Sequence, residues 1–310
     1  DIFERKVTDI LIPGGKDYPA LIGDDDLPFE NAGILKTTGF ELQAKWSDKL
    51  ANGFRYSVGV ALSDDKAKVV SYPSNPTNKI GDGVLYKGYT VGDIWGYVTG
   101  GILQEGDFDG VGANGKPLYH GPYFKGGQAY PGYIWYQDLD HDGVITTGLN
   151  TVDDPGDRKV IGNNAPRYRY NITANFQYKG FDLDLMFQGV GKRDYWLSST
   201  SSYWGNGAGS WEVYNNSWTP ERTDAKFPMY GSGIGSYAQS GYLLDASYIK
   251  LKQVILGYTF PRALINKIGL EKLRLNLAAY NLFTISDMPK YYDADYLSDA
   301  YPPKRTFSVG

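Results

Sequence analysis

Hydrophobic and polar positions alternate with a period of two over several stretches of the chain, the pattern of a strand with two different faces. From Phe54 to Leu62 one face carries Phe54, Tyr56, Val58, Val60 and Leu62, and the other Arg55, Ser57, Gly59 and Ala61. Further on, Tyr168, Tyr170, Ile172, Ala174, Phe176 and Tyr178 oppose Arg169, Asn171, Thr173, Asn175 and Gln177. The two-residue turn Lys179-Gly180 then leads into Phe181, Leu183, Leu185 and Phe187, set against Asp182, Asp184, Met186 and Gln188. Leu273, Leu275, Leu277 and Ala279 repeat the pattern, and Leu251 to Phe260 follows it less regularly. The apolar faces end in Tyr or Phe, as expected where a strand crosses two membrane–water interfaces, and the polar faces suit a wet lumen. About 11 residues at ~3.4 Å, tilted by ~40°, rise about 28 Å, the thickness of a hydrocarbon layer.

This reading predicts eight strands, at 1–12, 33–47, 53–63, 166–178, 180–190, 242–260, 270–283 and 304–310. Short connections fall at 47–53, 179–180 and 261–269, and long ones at 13–31, 63–165, 191–241 and 284–303. The alternation of short and long is that of an up-and-down barrel, and with the last strand descending to the periplasm its parity puts every long loop outside the cell. A loop as long as 63–165 is expected to carry function and structure of its own. No run approaches the ~18 apolar residues of a transmembrane helix, whereas a spanning strand needs only about 9–11.

Composition agrees with an all-β chain that has long loops. Tyrosine (27) outnumbers phenylalanine (13), tryptophan adds 7, and 39 of 310 residues are glycine. A net charge of −4 and a pI near 5.3 give no basic face for nucleic acid. There is no cysteine, so disulfides and thiolate chemistry are excluded, and with only His120 and His141 a Ser–His–Asp site has almost no material. A glycoside hydrolase would need two carboxylates flanking a sugar, and nothing singles out such a pair. No enzyme is expected.

Six motifs, in order, resemble those of the SusC/RagA-type TonB-dependent transporters of Bacteroidetes outer membranes. They are Asn31-Ala32-Gly33 with Thr38-Gly39-Phe40-Glu41; Tyr89 to Gly101; and Asp138 to Gly143 with Asp157-Arg158, Ile161-Gly162-Asn163 and Pro166. The others are Trp218-Thr219-Pro220-Glu221 with Pro228, Ser247 to Pro261, and Ala279 to Thr284. The resemblance implies that residues 1–310 are the C-terminal portion of a 22-stranded transmembrane barrel, with the N-terminal plug and TonB box outside this chain. It also implies import of oligosaccharides or peptides, driven by the TonB complex, with a SusD-like surface lipoprotein as lid, and it admits a dimer of transporter–lipoprotein pairs. The expected location is the outer membrane, with lipid against the apolar face. The alternative reading is a secreted all-β carbohydrate-binding or adhesion module with calcium-stabilised loops.

The sharpest local signal is Asp138-Leu139-Asp140-His141-Asp142-Gly143. Carboxylates at positions 1, 3 and 5 followed by glycine are the first half of a calcium-binding loop, with the Val144 carbonyl expected at position 7. Position 12 is Leu149, so a standard EF-hand is excluded. The family's closing aspartate matches Asp157, displaced by an insertion from Leu149 to Gly156. The candidate ligands for Ca2+ or Mg2+ are therefore Asp138, Asp140, Asp142, Val144 and Asp157, and the alternative is a metal-free Asp/Gly turn. Aromatics of the outer loops, among them Tyr123, Trp135, Tyr136, Tyr203, Trp204, Trp211 and Tyr214, are suited to stack on sugars or to pack the loops themselves.

Overall fold

The computed structural model describes residues 1–13, 29–81, 83–198, 210–233, 236–290, 292–297 and 303–310. Eight strands form one antiparallel sheet in chain order. They are β1 (Ile2–Pro13), β2 (Phe29–Lys49), β3 (Arg55–Ser71), β4 (Arg167–Tyr178), β5 (Phe181–Lys192), β6 (Tyr248–Thr259), β7 (Arg274–Ser286) and β8 (Thr306–Val309). Each predicted strand is present.

The register puts like with like. One row runs Trp46–Val58–Ala174–Leu185–Val254–Ala279–Phe307 across seven strands. The row one residue away, on the other face, reads Lys45–Gly59–Thr173–Met186–Gln253–Tyr280–Thr306. Side chains of the first face stand out into the surroundings: Leu42 is 60% exposed, Leu277 54% and Leu256 42%. A continuous apolar face left this open belongs in lipid. At the short-turn end it is bordered by aromatics, with Phe54 6.2 Å from Phe176 and from Tyr178, and Phe181 4.4 Å from Tyr258.

The Lys179-Gly180 turn has positive φ at both residues, 46° and 89°, the twist that a two-residue hairpin requires. Two strands depart furthest from the expected bounds. β3 continues eight residues beyond Ser63, because Asp64 and Asp65, which read as loop, are engaged by Arg167 and Arg169 of the neighbouring strand. The extension carries Val69 into a small core with Ile80, Tyr86 and Tyr89. β6 starts at Tyr248 rather than 242, since Leu244–Asp245 pairs instead with Asp194–Tyr195. A bulge between Leu251 and Gln253 accounts for its irregular alternation.

The described residues of the loops 72–166 and 193–247 fold together at the long-loop end. Asp93–Tyr97 pairs with Arg158–Asn163, and Thr99–Ile102 pairs with Ile134–Tyr136. The second loop docks through Tyr97 N to Ala238 O (2.9 Å), Trp218 Nε1 to Gln104 Oε1 (2.9 Å) and Met229 N to Gly132 O (2.7 Å). Tyr97, Ile134, Tyr136, Ile145, Leu197, Val213 and Phe227 are buried between them. Rings of these loops pack on one another, with Phe124 touching Tyr97, Tyr136 and Tyr237. Burial raises the Tyr242 hydroxyl pKa to about 12. Trp211 and Tyr214 remain exposed, and Tyr203 and Trp204 lie outside the described residues.

Candidate functional site

The Asp138 segment turns sharply because its side chains bind its own backbone. Asp138 accepts from His141 N (2.7 Å) and Gly143 N (2.9 Å), and Asp140 accepts from Asp142 N (3.2 Å). His141 and Gly143 both take positive φ, 63° and 85°. The chain then enters Val144–Ile145, which pairs with Tyr123–Phe124, and the buried Ile145 fixes the loop to the outer core.

Asp157 arrives from 19 positions beyond Asp138, and the insertion explains how. Asp157 N donates to Thr146 O (3.2 Å), so residues 147–156 form a side loop that closes on itself. Arg158 ties that loop down through the Thr147 carbonyl and Asn150. The fully buried Asp157 carboxylate then accepts from Leu139 N and Thr146 N, each at 2.7 Å. Carboxylate oxygens of Asp138, Asp140 and Asp157 come within 4.8 Å of one another. Asp142 stands apart from that group and accepts from Val144 N at 2.8 Å.

Among the described residues no lysine or arginine pairs with these three acids. For Asp140, desolvation and the charges of Asp157 and Asp142 push the pKa up. For Asp138, desolvation is outweighed by the Gly143 and His141 amides, and its pKa is lowered. Three hard oxygen donors converging without a compensating cation are the donor set that Ca2+ or Mg2+ prefers.

A second charged cluster lies on the lumen side of the wall, and the sequence did not reveal it. Residues 292–297, from the loop after β7, fold inward as a strap. Lys250, 1% exposed, donates to Asp293 (2.6 Å) and lies 3.4 Å from Asp295. Lys252 reaches Asp295 at 2.6 Å, and the β6 bulge is what brings it round to the same side. Tyr248 Oη donates to Asp295 (2.6 Å) and receives a hydrogen bond from Gln188 (3.1 Å). Burial works against the Asp295 charge, but the bonds from Lys252 and Tyr248 prevail and hold its pKa below the usual carboxylate value. Ala294 and Met288 add apolar contacts against Val190 and Tyr248. The only trace in the sequence is an alternating Lys-x-Lys on β6 and an Asp-x-Asp some forty positions later, and nothing local joins them.

No family model matches the chain. Over its whole length it is 28% identical to TonB-dependent receptor P3 of Formosa agariphila, covering 31% of that protein. It is 24% identical to TonB-dependent receptor SusC of Bacteroides thetaiotaomicron, over 84% of this chain and 24% of that one. In fold it is similar to a chain of the RagAB peptide importer in its open-open state, with a TM-score of 0.64 and 19% identity, covering 93% of this chain and 29% of that one. The chain spans less than a third of the length of the relatives it matches. With an antiparallel wall that is apolar on one face and polar on the other, and a likeness that runs from end to end, the chain resembles part of the outer-membrane β-barrel of SusC/RagA-type TonB-dependent receptors.

Proposed function

We propose that the whole protein is a transporter and not an enzyme, importing an oligosaccharide or a peptide across the outer membrane. The TonB complex supplies the energy, and a SusD-like surface lipoprotein covers the long-loop end. This chain supplies a C-terminal portion of the barrel, and the plug comes from the rest of the protein. The observation that carries the reading is the wall itself, apolar outward and polar inward over the same seven paired strands. The relatives named as TonB-dependent receptors support the coupling to TonB. The outer module has a folded core, which suits a fixed surface for a lipoprotein partner. Within it the Asp138–Asp140–Asp157 loop holds a structural Ca2+ or Mg2+ that fixes the outer face.

Purification of the full-length protein from outer membranes in mild detergent tests the proposal. A lipoprotein that co-elutes, together with uptake that stops when TonB is deleted, is the expected result. Recovery in the aqueous fraction, alone, overturns it.

A further inference from the structure

A hollow of about 750 Å3 opens on the lumen face at the long-loop end, walled by Gln43, Asn171, Gln188 and Tyr248. Five charged residues line it, Asp1, Glu41, Arg169, Arg193 and Asp295, and Asp1 lies beside Glu41 with backbone hydrogen bonds in both directions. Two are neutralised where they stand. Arg169 pairs with Asp65, and Asp295 pairs with Lys252 and Lys250.

Arg193 is different. It follows β5 directly, and its carbonyl accepts from Ala246 N at 2.7 Å, so its backbone is fixed. Its Nε donates to the Asn164 carbonyl at 2.9 Å. Among the described residues it forms no ion pair. Glu41 cannot compensate it. The register runs Glu41–Ser63–Arg169–Val190, and three strand spacings of ~4.8 Å leave Glu41 about 14 Å from the Val190 position. A guanidinium stays charged at any working pH, and its two terminal nitrogens match a carboxylate side by side. Burial lowers the Arg193 pKa against the opposing charge of Asp295, which is itself paired with Lys250 and Lys252, so an arriving anion replaces hydration that the site has already weakened.

We infer that Arg193 is an anion subsite of the import path, which takes a carboxylate of the ligand. The inference rests on the import reading above. Carboxylates reach such a site from two sources, a uronic acid of an oligosaccharide or the C-terminus of a peptide, and the test separates them.

Binding to the full-length transporter, purified with whatever partner accompanies it, is measured for two probe pairs: trigalacturonic acid against its methyl ester, and trialanine against its C-terminal amide. The expected result is that the acid of one pair binds roughly ten- to a hundredfold more tightly than its neutral form. That preference disappears in Arg193→Gln and largely returns in Arg193→Lys, while binding of the neutral form is unchanged throughout. The pair that discriminates identifies the source. Equal binding of acid and neutral forms in both pairs, or a preference that survives Arg193→Gln, overturns the inference and leaves the import reading standing. Absence of the protein from the outer-membrane fraction overturns both.

Discussion

The outer Asp138 loop and the lumenal strap both gather aspartates around a buried residue, Asp157 in the one and Lys250 in the other, and they treat the charge in opposite ways. In the strap every acid meets a cation: Asp293 and Asp295 share Lys250 and Lys252, and a tyrosine and a glutamine fill the remaining acceptor positions. In the outer loop three acids converge, and only backbone N–H groups answer them. A buried group that is fully paired is fixed by what surrounds it. A cluster with surplus charge repels itself, and this is the charge that the proposed Ca2+ or Mg2+ would offset. The first arrangement shapes the barrel wall, and the second leaves a site.

The sharpest way to break this contrast is to remove the strap's central cation. Lys250→Ala leaves Asp293 without its cation, while Asp295 keeps Lys252, and costs about 3–5 kcal/mol in the opening of the strap. Hydrogen exchange at the Tyr296 amide, which bonds to the Asp293 carbonyl at 2.9 Å, reads this directly. Adding Asp293→Asn to Lys250→Met recovers part of the loss, because the two positions are coupled. Unchanged protection in Lys250→Ala shows that the ion pairs do not hold the strap.

Adding a divalent cation sharpens the other side. At a hundredfold excess over its Kd, Ca2+ stabilises the outer module by about 2.7 kcal/mol, and chelation reverses this. Proteolysis between residues 138 and 158 should slow with Ca2+, and Asp140→Asn should abolish the difference. Equal cleavage with and without Ca2+ and Mg2+ returns the loop to the metal-free turn. Asp157→Asn removes a proposed ligand and also weakens the metal-free loop. It turns one acceptor oxygen into a donor facing a backbone N–H and costs about 1–3 kcal/mol of loop stability, seen as faster exchange at Leu139 or Thr146.

The smallest effect is in pH, where the two regions move in opposite directions. The Asp295 pKa is lowered on folding, so its contribution is full above the ordinary value of 3.8 and is lost as pH falls through the lower folded value. The Asp140 pKa is raised, so without metal the repulsion it causes is present at neutral pH and relieved as pH falls through that higher value. Mild acidification therefore tightens the metal-free outer loop first, and only stronger acid loosens the strap. Exchange at Asp142 and at Tyr296 followed from pH 7 downward separates the two, and a joint loss at one pH contradicts the assignment.

The barrel wall was legible from sequence, since a period of two fixes which side chain faces lipid, and the register needs only matching faces to follow. The Lys179-Gly180 turn and five of the strands came from that pattern, and the alternation of short and long connections placed the other three. So did three of the acids of the outer loop, because Asp138, Asp140 and Asp142 are local neighbours, while Asp157 came from the family resemblance. Tertiary structure decided what local pattern cannot hold. Asp64 and Asp65 read as loop until Arg167 and Arg169, about a hundred residues away, kept them in β3. Which acids converge depended on how the insertion closes at Thr146 and Asp157, and it left Asp142 outside the group. The strap needed a bulge in β6 and a loop some forty residues later to meet in space. A charged side chain is placed by its partner, and when that partner is distant in the chain only the folded structure names it.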